Sequence, residues 1–251
     1  YNRNSSSGAW IYPIPPDANR DTVDWDLFLG SAPKRDFDLE RFFRWRCYKE
    51  YSGGIATELF VHLCTTIHYV MGAQAPSEVT AFGDLYRWKE SRNVPDTLNA
   101  MLRYPEGFTV NLSSTFNNQS AGTGFEFLGT EGSISMGYRG FTFQREVVRE
   151  NNGWITDSWP SDLQETYNNK HPEEQRRVRA PEPEEYRTPR GPNDTQRHLA
   201  GFFDCVRNGK KPVEDVWAGH RAAACAHLIN WSAEHGQVAK WDAKKDRQAK
   251  T

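Results

Sequence analysis

The apolar residues of this chain change their spacing once, and that change fixes the class of fold available to it. From Gly54 to Met71 the residues Ile55, Leu59, Phe60, Leu63, Ile67, Val70 and Met71 recur at three- and four-residue steps, and Gly72 follows as a stop. That is the period of a helix with one buried face. From Glu78 the period becomes two. Val79 and Ala81; Leu98, Ala100, Leu102 and Tyr104; Phe108, Val110, Leu112, Ser114 and Phe116; Phe125 and Phe127; Ile134 and Met136; and Phe141 and Phe143 mark successive half-buried strands. Pro105-Glu106-Gly107, Gly129-Thr130-Glu131-Gly132 and Tyr138-Arg139-Gly140 supply turns between them. Links this short force antiparallel neighbours, because a parallel crossover needs about a dozen residues or more. The expectation is an α+β fold: a large open, predominantly antiparallel sheet over 78–150, unbroken from Val79 to Phe143, with helices packed on one face.

The remaining segments are arranged around that centre. Residues 1–52 carry Pro13, Pro15, Pro16, Gly30 and Pro33 among many aromatics, which predicts a layered arm ending in a short helix near Leu39 to Arg44. Residues 151–197 hold six of the 14 prolines and 16 charged residues without sustained periodicity, and read as a polar loop excursion. Over 195–236, Thr195 can cap a helix ended by Asn208-Gly209, and Asp215 a longer one ended by Gly236. The closing WDAKKDRQAKT reads as a polar tail. At 251 residues the chain is long enough for a single domain over 1–251 without staples.

Charge narrows the partners. With 31 Lys+Arg against 33 Asp+Glu the chain has no bias toward nucleic acid or an anionic membrane. No apolar run approaches the ~18 residues of a membrane span, and nothing near the start resembles a signal peptide. A soluble protein is expected, cytoplasmic or exported. Tyr1 at the start and a first Met at 71 create the expectation of a piece of a longer polypeptide. Cys47, Cys64, Cys205 and Cys225 stand apart, with no metal-ligand spacing, and read as buried reduced thiols.

Three clusters can carry chemistry. Glu58 and His62 lie four apart on the 54–71 helix, where a carboxylate can orient an imidazole for acid/base work; the same spacing also makes an ordinary surface pair. Thr66 and Tyr69 continue that stripe. Just upstream, Arg44-Trp45-Arg46 with Tyr48 and Tyr51 can hold a polyol or carboxylate or serve as stacked filler, and Gly53-Gly54 permits close backbone approach. His220, beside Arg221 on the second C-terminal helix, is a further candidate, whereas His227 and His235 read as structural. His62 and His68, six apart, do not share a helical face well, so no metal site is expected.

In order along the chain, WDLFLGSAPKRDFDLERFFRWR, YSGGIATELFVHL, PDTLNAMLRYPEGFTVNLSSTF, FEFLGTEGSISM and HLAGFFDCVRNGKKPVEDVWAGH resemble the C-terminal portion of the glucose-fructose oxidoreductase / inositol dehydrogenase (Gfo/Idh/MocA) family. The resemblance implies a two-domain enzyme whose N-terminal Rossmann domain binds NAD(P) and whose C-terminal domain forms the substrate pocket and often the oligomer interface. In that family an Asp, and a His four residues later, act at the substrate hydroxyl together with a Lys of the Rossmann domain. Glu58 stands at the Asp position and His62 at the His position; Thr65 stands where another Asp is often found, and Trp45-Arg46 matches the family's Trp-Arg pair. No GxGxxG and no Glu-Lys-Pro segment occurs in the sequence.

The resemblance therefore implies the substrate-binding domain of an NAD(P)-dependent oxidoreductase. It would act by hydride transfer on a secondary alcohol of a sugar, cyclitol or glycoside. His62 and Glu58 would be its catalytic pair, and Arg44, Trp45, Arg46, Tyr51 and His220 its substrate contacts. The nicotinamide cofactor would be held by the upstream Rossmann domain, with no tight NAD(P) binding by this chain alone. A homo-oligomer through the sheet is expected from Phe108, Phe125, Phe127, Phe141 and Phe143. Two other readings stand beside this one: an NAD-dependent glycosidase of the same family, and a non-catalytic protein-association module.

Overall fold

The computed structural model describes residues 2–120, 122–137, 139–147, 153–172, 181–189, 191 and 193–249. The first elements are β1 (Arg3–Asn4), α1 (Trp25–Leu29), α2 (Leu39–Phe43) and a 3-10 turn at Trp45–Cys47. A π turn at Ala56–Phe60 then runs into α3 (Val61–Met71). Strands β2 (Glu78–Asp84), β3 (Thr97–Tyr104), β4 (Phe108–Thr115), β5 (Asn117–Asn118), β6 (Phe125–Leu128), β7 (Gly132–Gly137) and β8 (Gly140–Arg145) follow. The rest comprises α4 (Gly153–Thr156), α5 (Ser161–Lys170), β9 (Glu184–Arg187), α6 (Asp194–Asn208), α7 (Val216–His235), β10 (Ala239–Asp242) and β11 (Arg247–Gln248). The chain divides into two compact units, 1–122 with 193–251, and 123–192.

The first unit is built on a five-stranded sheet of order β11-β10-β2-β3-β4, antiparallel throughout. On one face Val79, Ala81, Leu98, Ala100, Leu102, Tyr104 and Leu112 are buried, the period-two pattern of the sequence. Helix α7 lies on β2, and α3 packs on α7. The alanines of α7 allow that approach: Ala222, Ala224 and Ala226 are buried beside Leu228 and Ile229. Ser232 of α7 accepts the Ala81 N–H at 3.0 Å and donates to the Gln237 carbonyl at 2.6 Å, joining helix to sheet inside the core. The opposite face presents Thr80, Phe82, Asn99, Met101, Arg103 and Asn111 to solvent. The second unit holds a four-stranded antiparallel sheet, β6-β7-β8-β9.

Several expectations change. The strands between Val79 and Phe143 do not make one sheet but are divided among three: β2 to β4 in the first, β5 with β1, and β6 to β8 in the second unit. The ladder of the first ends at β4, because Asn117-Asn118 turns away to pair with Arg3-Asn4. The 151–197 segment is not all loop: it contains α4, α5 and β9, the last an exposed strand recruited by the edge of β8, which supplies hydrogen bonds without needing an apolar pattern. The polar tail likewise contributes β10 and β11, the edge of the first sheet. Phe108 stacks on Tyr104 at 4.5 Å, on the covered side, and so adds nothing to an open face. The expected 54–71 and 195–236 helices are present, the latter as α6 and α7. Tyr138 of the third expected turn, 148–152 and 173–180 lie outside the described residues.

Asp96 organises the entry to β3. Fully buried, it accepts backbone N–H bonds from Arg87 at 2.8 Å and Tyr86 at 3.2 Å and the Asn117 amide at 3.0 Å. Burial pushes its carboxyl up, but these donors outweigh it and hold the pKa below the usual carboxylate value. A depressed folded pKa contributes stability that is complete above the unfolded value and lost as pH falls through the folded one. Unfolding free energy from urea titrations should therefore drop as pH falls below about 4, and Asp96→Asn should flatten that slope while costing about 1–3 kcal/mol at neutral pH. In the core, Phe60→Ala should cost about 3–5 kcal/mol by the same titration, since Phe60 is fully buried.

Candidate functional site

The site begins with two glycines. Gly54 has φ +62°, a left-handed conformation that a side chain strains, and a Cβ on Gly53 would stand 2.5 Å from Thr57 Cγ2 and 2.7 Å from Asn230 Nδ2. Asn230 of α7 donates to the Gly53 carbonyl at 2.7 Å. The close approach read from Gly53-Gly54 is thus made to α7. The chain then enters a π turn, a form that is rare in proteins and concentrated at functional sites.

Glu58 sits in that turn. Arg46 Nε donates to Glu58 Oε2 at 2.7 Å, and Ser52 Oγ donates to Oε1 at 3.2 Å. Ser52 in turn accepts the Gly54 N–H at 3.0 Å, so one hydroxyl ties the carboxylate to the backbone turn before the helix. The Arg46 guanidinium lies 4.2 Å over the Trp45 ring. The guanidinium is thus stacked on the indole by its face and bonded to the carboxylate by its edge, with Arg46 and Glu58 34% and 18% exposed. His62, on the first turn of α3, is exposed. It forms no hydrogen bond to Glu58 among the described residues.

Of the seven candidate residues of the sequence, Arg46 contacts both Trp45 and Glu58, and His62 follows on the same helix. The other three are placed elsewhere. Arg44 is spent on the scaffold, donating to the Tyr12 carbonyl at 3.0 Å and to Glu40 at 2.7 Å. Tyr51 packs at 5.0 Å from Phe28 in an aromatic cluster, its hydroxyl buried without a partner among the described residues. His220 lies 3.7 Å from Asp246. It is ten residues before Asn230, about 15 Å along α7, and so stands away from Gly53.

Ser52 was not singled out, although its place directly before Gly53-Gly54 was a signal. His68 is buried, with Nε2 2.9 Å from the Tyr104 hydroxyl and 3.6 Å from Cys225 Sγ. The Cys64 hydrogen bond, helped by His68, draws the Cys225 thiol down, while burial pushes Tyr104 up. Among the described residues no group of three or more His, Cys, Asp or Glu is placed to hold a metal ion, and no helix is long and apolar enough to cross a membrane.

Among the described residues the strand ladders are antiparallel.

The family profile described as GFO/IDH/MocA C-terminal domain matches residues 30–135, the span that contains the stack, the glycine pair and α3. Solved structures agree in fold. Levoglucosan dehydrogenase in complex with NADH and levoglucosan is 19% identical with a TM-score of 0.57, the match covering 78% of this chain and 52% of that one. An aldose-aldose oxidoreductase from Caulobacter crescentus, complexed with glycerol, is 18% identical with a TM-score of 0.55, covering 78% and 50%. A UDP-N-acetylglucosamine 3-dehydrogenase from Acidithiobacillus ferrooxidans is 14% identical with a TM-score of 0.51, covering 72% and 49%. The chain spans about half the length of these structures. No curated protein matches it in sequence.

The half-buried stack should be worth more than a surface ion pair. A double-mutant cycle with Arg46→Ala and Glu58→Ala, read by urea unfolding, should give a coupling of about 1 kcal/mol or more. The same cycle on the exposed pair Lys34–Asp26, 3.1 Å apart, should give about 0.5 kcal/mol or less.

Proposed function

We propose that this chain is the substrate-binding half of an NAD(P)-dependent oxidoreductase acting on a secondary alcohol of a sugar, cyclitol or glycoside. The observation that carries the reading is the exposed His62 one turn beyond a carboxylate held by Arg46, inside the segment that matches the GFO/IDH/MocA C-terminal domain profile. The sugar-oxidoreductase character of the fold neighbours supports it. So does the NADH held by levoglucosan dehydrogenase, which makes NAD(P) the proposed cofactor of the whole enzyme, bound outside this chain.

In this reading His62 exchanges the proton of the substrate hydroxyl at an imidazole nitrogen, and its exposure lets substrate reach it. Glu58 does not orient His62 by a direct bond. It is a positioning residue: it fixes the Arg46 guanidinium, whose remaining N–H groups can donate to neighbouring substrate hydroxyls while Trp45 offers a flat face to the ring. In the enzyme joined to its nicotinamide-binding domain, His62→Ala should lower kcat by roughly 10²- to 10⁴-fold, the range for a lost general acid/base. Unchanged turnover would remove His62 from the chemistry. Arg46→Ala should mainly raise KM. Calorimetry on this chain alone should show no tight binding of NAD(H) or NADP(H).

A second reading is favoured by the engagement of both Glu58 oxygens by Arg46 and Ser52. A carboxylate so occupied suits a module that keeps the fold for protein association, and full activity of His62→Ala would point there. We also propose that a second copy covers the sheet face where Phe82 and Met101 are 71% and 59% exposed. Light scattering at micromolar concentration should then give at least twice the chain mass.

A further inference from the structure

One cavity of the first unit takes no part in the site above. It has a volume of about 710 Å³, within the range of small-molecule sites. It opens between the second half of α3 and the start of α7, with Thr66, Tyr69 and Gln74 on one side and Glu214 and Trp217 on the other. Thr66 and Tyr69 lie four and seven residues after His62, on the same helical stripe, so the cavity begins about 6 Å along α3 from His62 and reaches about 10 Å from it. A single pyranose ring held at His62 does not reach that far.

The lining defines what it can hold. Tyr69 and Trp217 are 72% and 58% exposed, and present ring faces suited to the C–H face of a sugar. The charged groups are largely paired: Lys211 with Asp215 at 2.9 Å and Arg221 with Asp246 at 3.8 Å. Glu214 accepts the Thr65 hydroxyl at 3.2 Å and has no cationic partner among the described residues. The helix N-terminus of α7, the natural seat for an anion, is already taken by the Asp215 carboxylate, which accepts the Ala218 N–H at 2.9 Å. Three carboxylates against two cations disfavour a phosphate and suit a neutral ligand with many hydroxyls.

We propose that this cavity is a subsite for a second, neutral sugar ring, so that the substrate is a glycoside or disaccharide and neither a free monosaccharide nor a nucleotide-linked sugar. The inference rests on the reading that a sugar hydroxyl reacts at His62.

Calorimetry of the chain with glucose, galactose, cellobiose, maltose, lactose and UDP-N-acetylglucosamine tests it. At least one disaccharide should bind 10-fold or more tightly than either monosaccharide, and UDP-N-acetylglucosamine more weakly than that disaccharide. Trp217→Ala, a change at an exposed position, should bring the disaccharide to the monosaccharide level and leave monosaccharide affinity unaltered. His62→Ala should preserve the ratio. Equal binding of mono- and disaccharides, or a disaccharide preference that survives Trp217→Ala, overturns the subsite and leaves the sugar reading standing. Tightest binding by UDP-N-acetylglucosamine overturns the neutral class. No binding by any of the six sugars overturns the sugar reading and the subsite with it.

Discussion

The hydrogen bond from the Asn230 amide to the Gly53 carbonyl is the constraint on which the site depends. It brings α7 against the chain just where the backbone turns into a helix, and only a residue without a Cβ leaves room for it. Gly54 then takes the left-handed conformation that leads through Ile55 into the π turn Ala56–Phe60. The direction of Glu58 toward Arg46 and Ser52 follows from that turn, and the placement of His62 follows from the helix that continues it. A long helix buried on the sheet thus acts as the anvil for a site whose side chains come from elsewhere.

A second polar cluster sets the rotation of α3 about its axis. His68, Tyr104 and Cys225 bond to one another between α3, β3 and α7, so the side of α3 that faces the core is chosen by hydrogen bonds as well as by Ile67 and Cys64. Buried polar groups cost stability unless satisfied, and once satisfied they admit few alternative registers. With that side committed, Thr66 and Tyr69 are left facing outward.

Much of this was legible in the sequence because it rests on short-range regularities. The three-to-four step through Ile55, Leu59, Leu63 and Ile67 requires a helix wherever it lies, and the alternation through Leu98, Ala100, Leu102 and Tyr104 requires a strand with one covered face. What escaped depends on partners distant in sequence. Glu184 to Arg187 has no apolar pattern and is a strand only because β8 offers it an edge. The end of the first sheet at β4 turns on the pairing of Asn117-Asn118 with residues near the N-terminus. At the site, the i,i+4 rule placed Glu58 opposite His62, but Arg46, twelve residues earlier, competes for the carboxylate and wins it with a charge-assisted bond. The rule also assumes an α-helix, and the backbone at Glu58 is not one.

A π turn holds one residue more than the α-helical turn it replaces, so the segment Ala56–Phe60 works as a spacer in the helix register. Everything before it, including the glycine pair, is rotated by about 100° relative to where an uninterrupted α-helix would put it. The two halves of the site therefore have separate angular settings on a single rod. Excision of one residue from the spacer would swing the glycine pair away from Asn230 as well as the carboxylate from the guanidinium, so the aim of the site and the seat of α7 are set together.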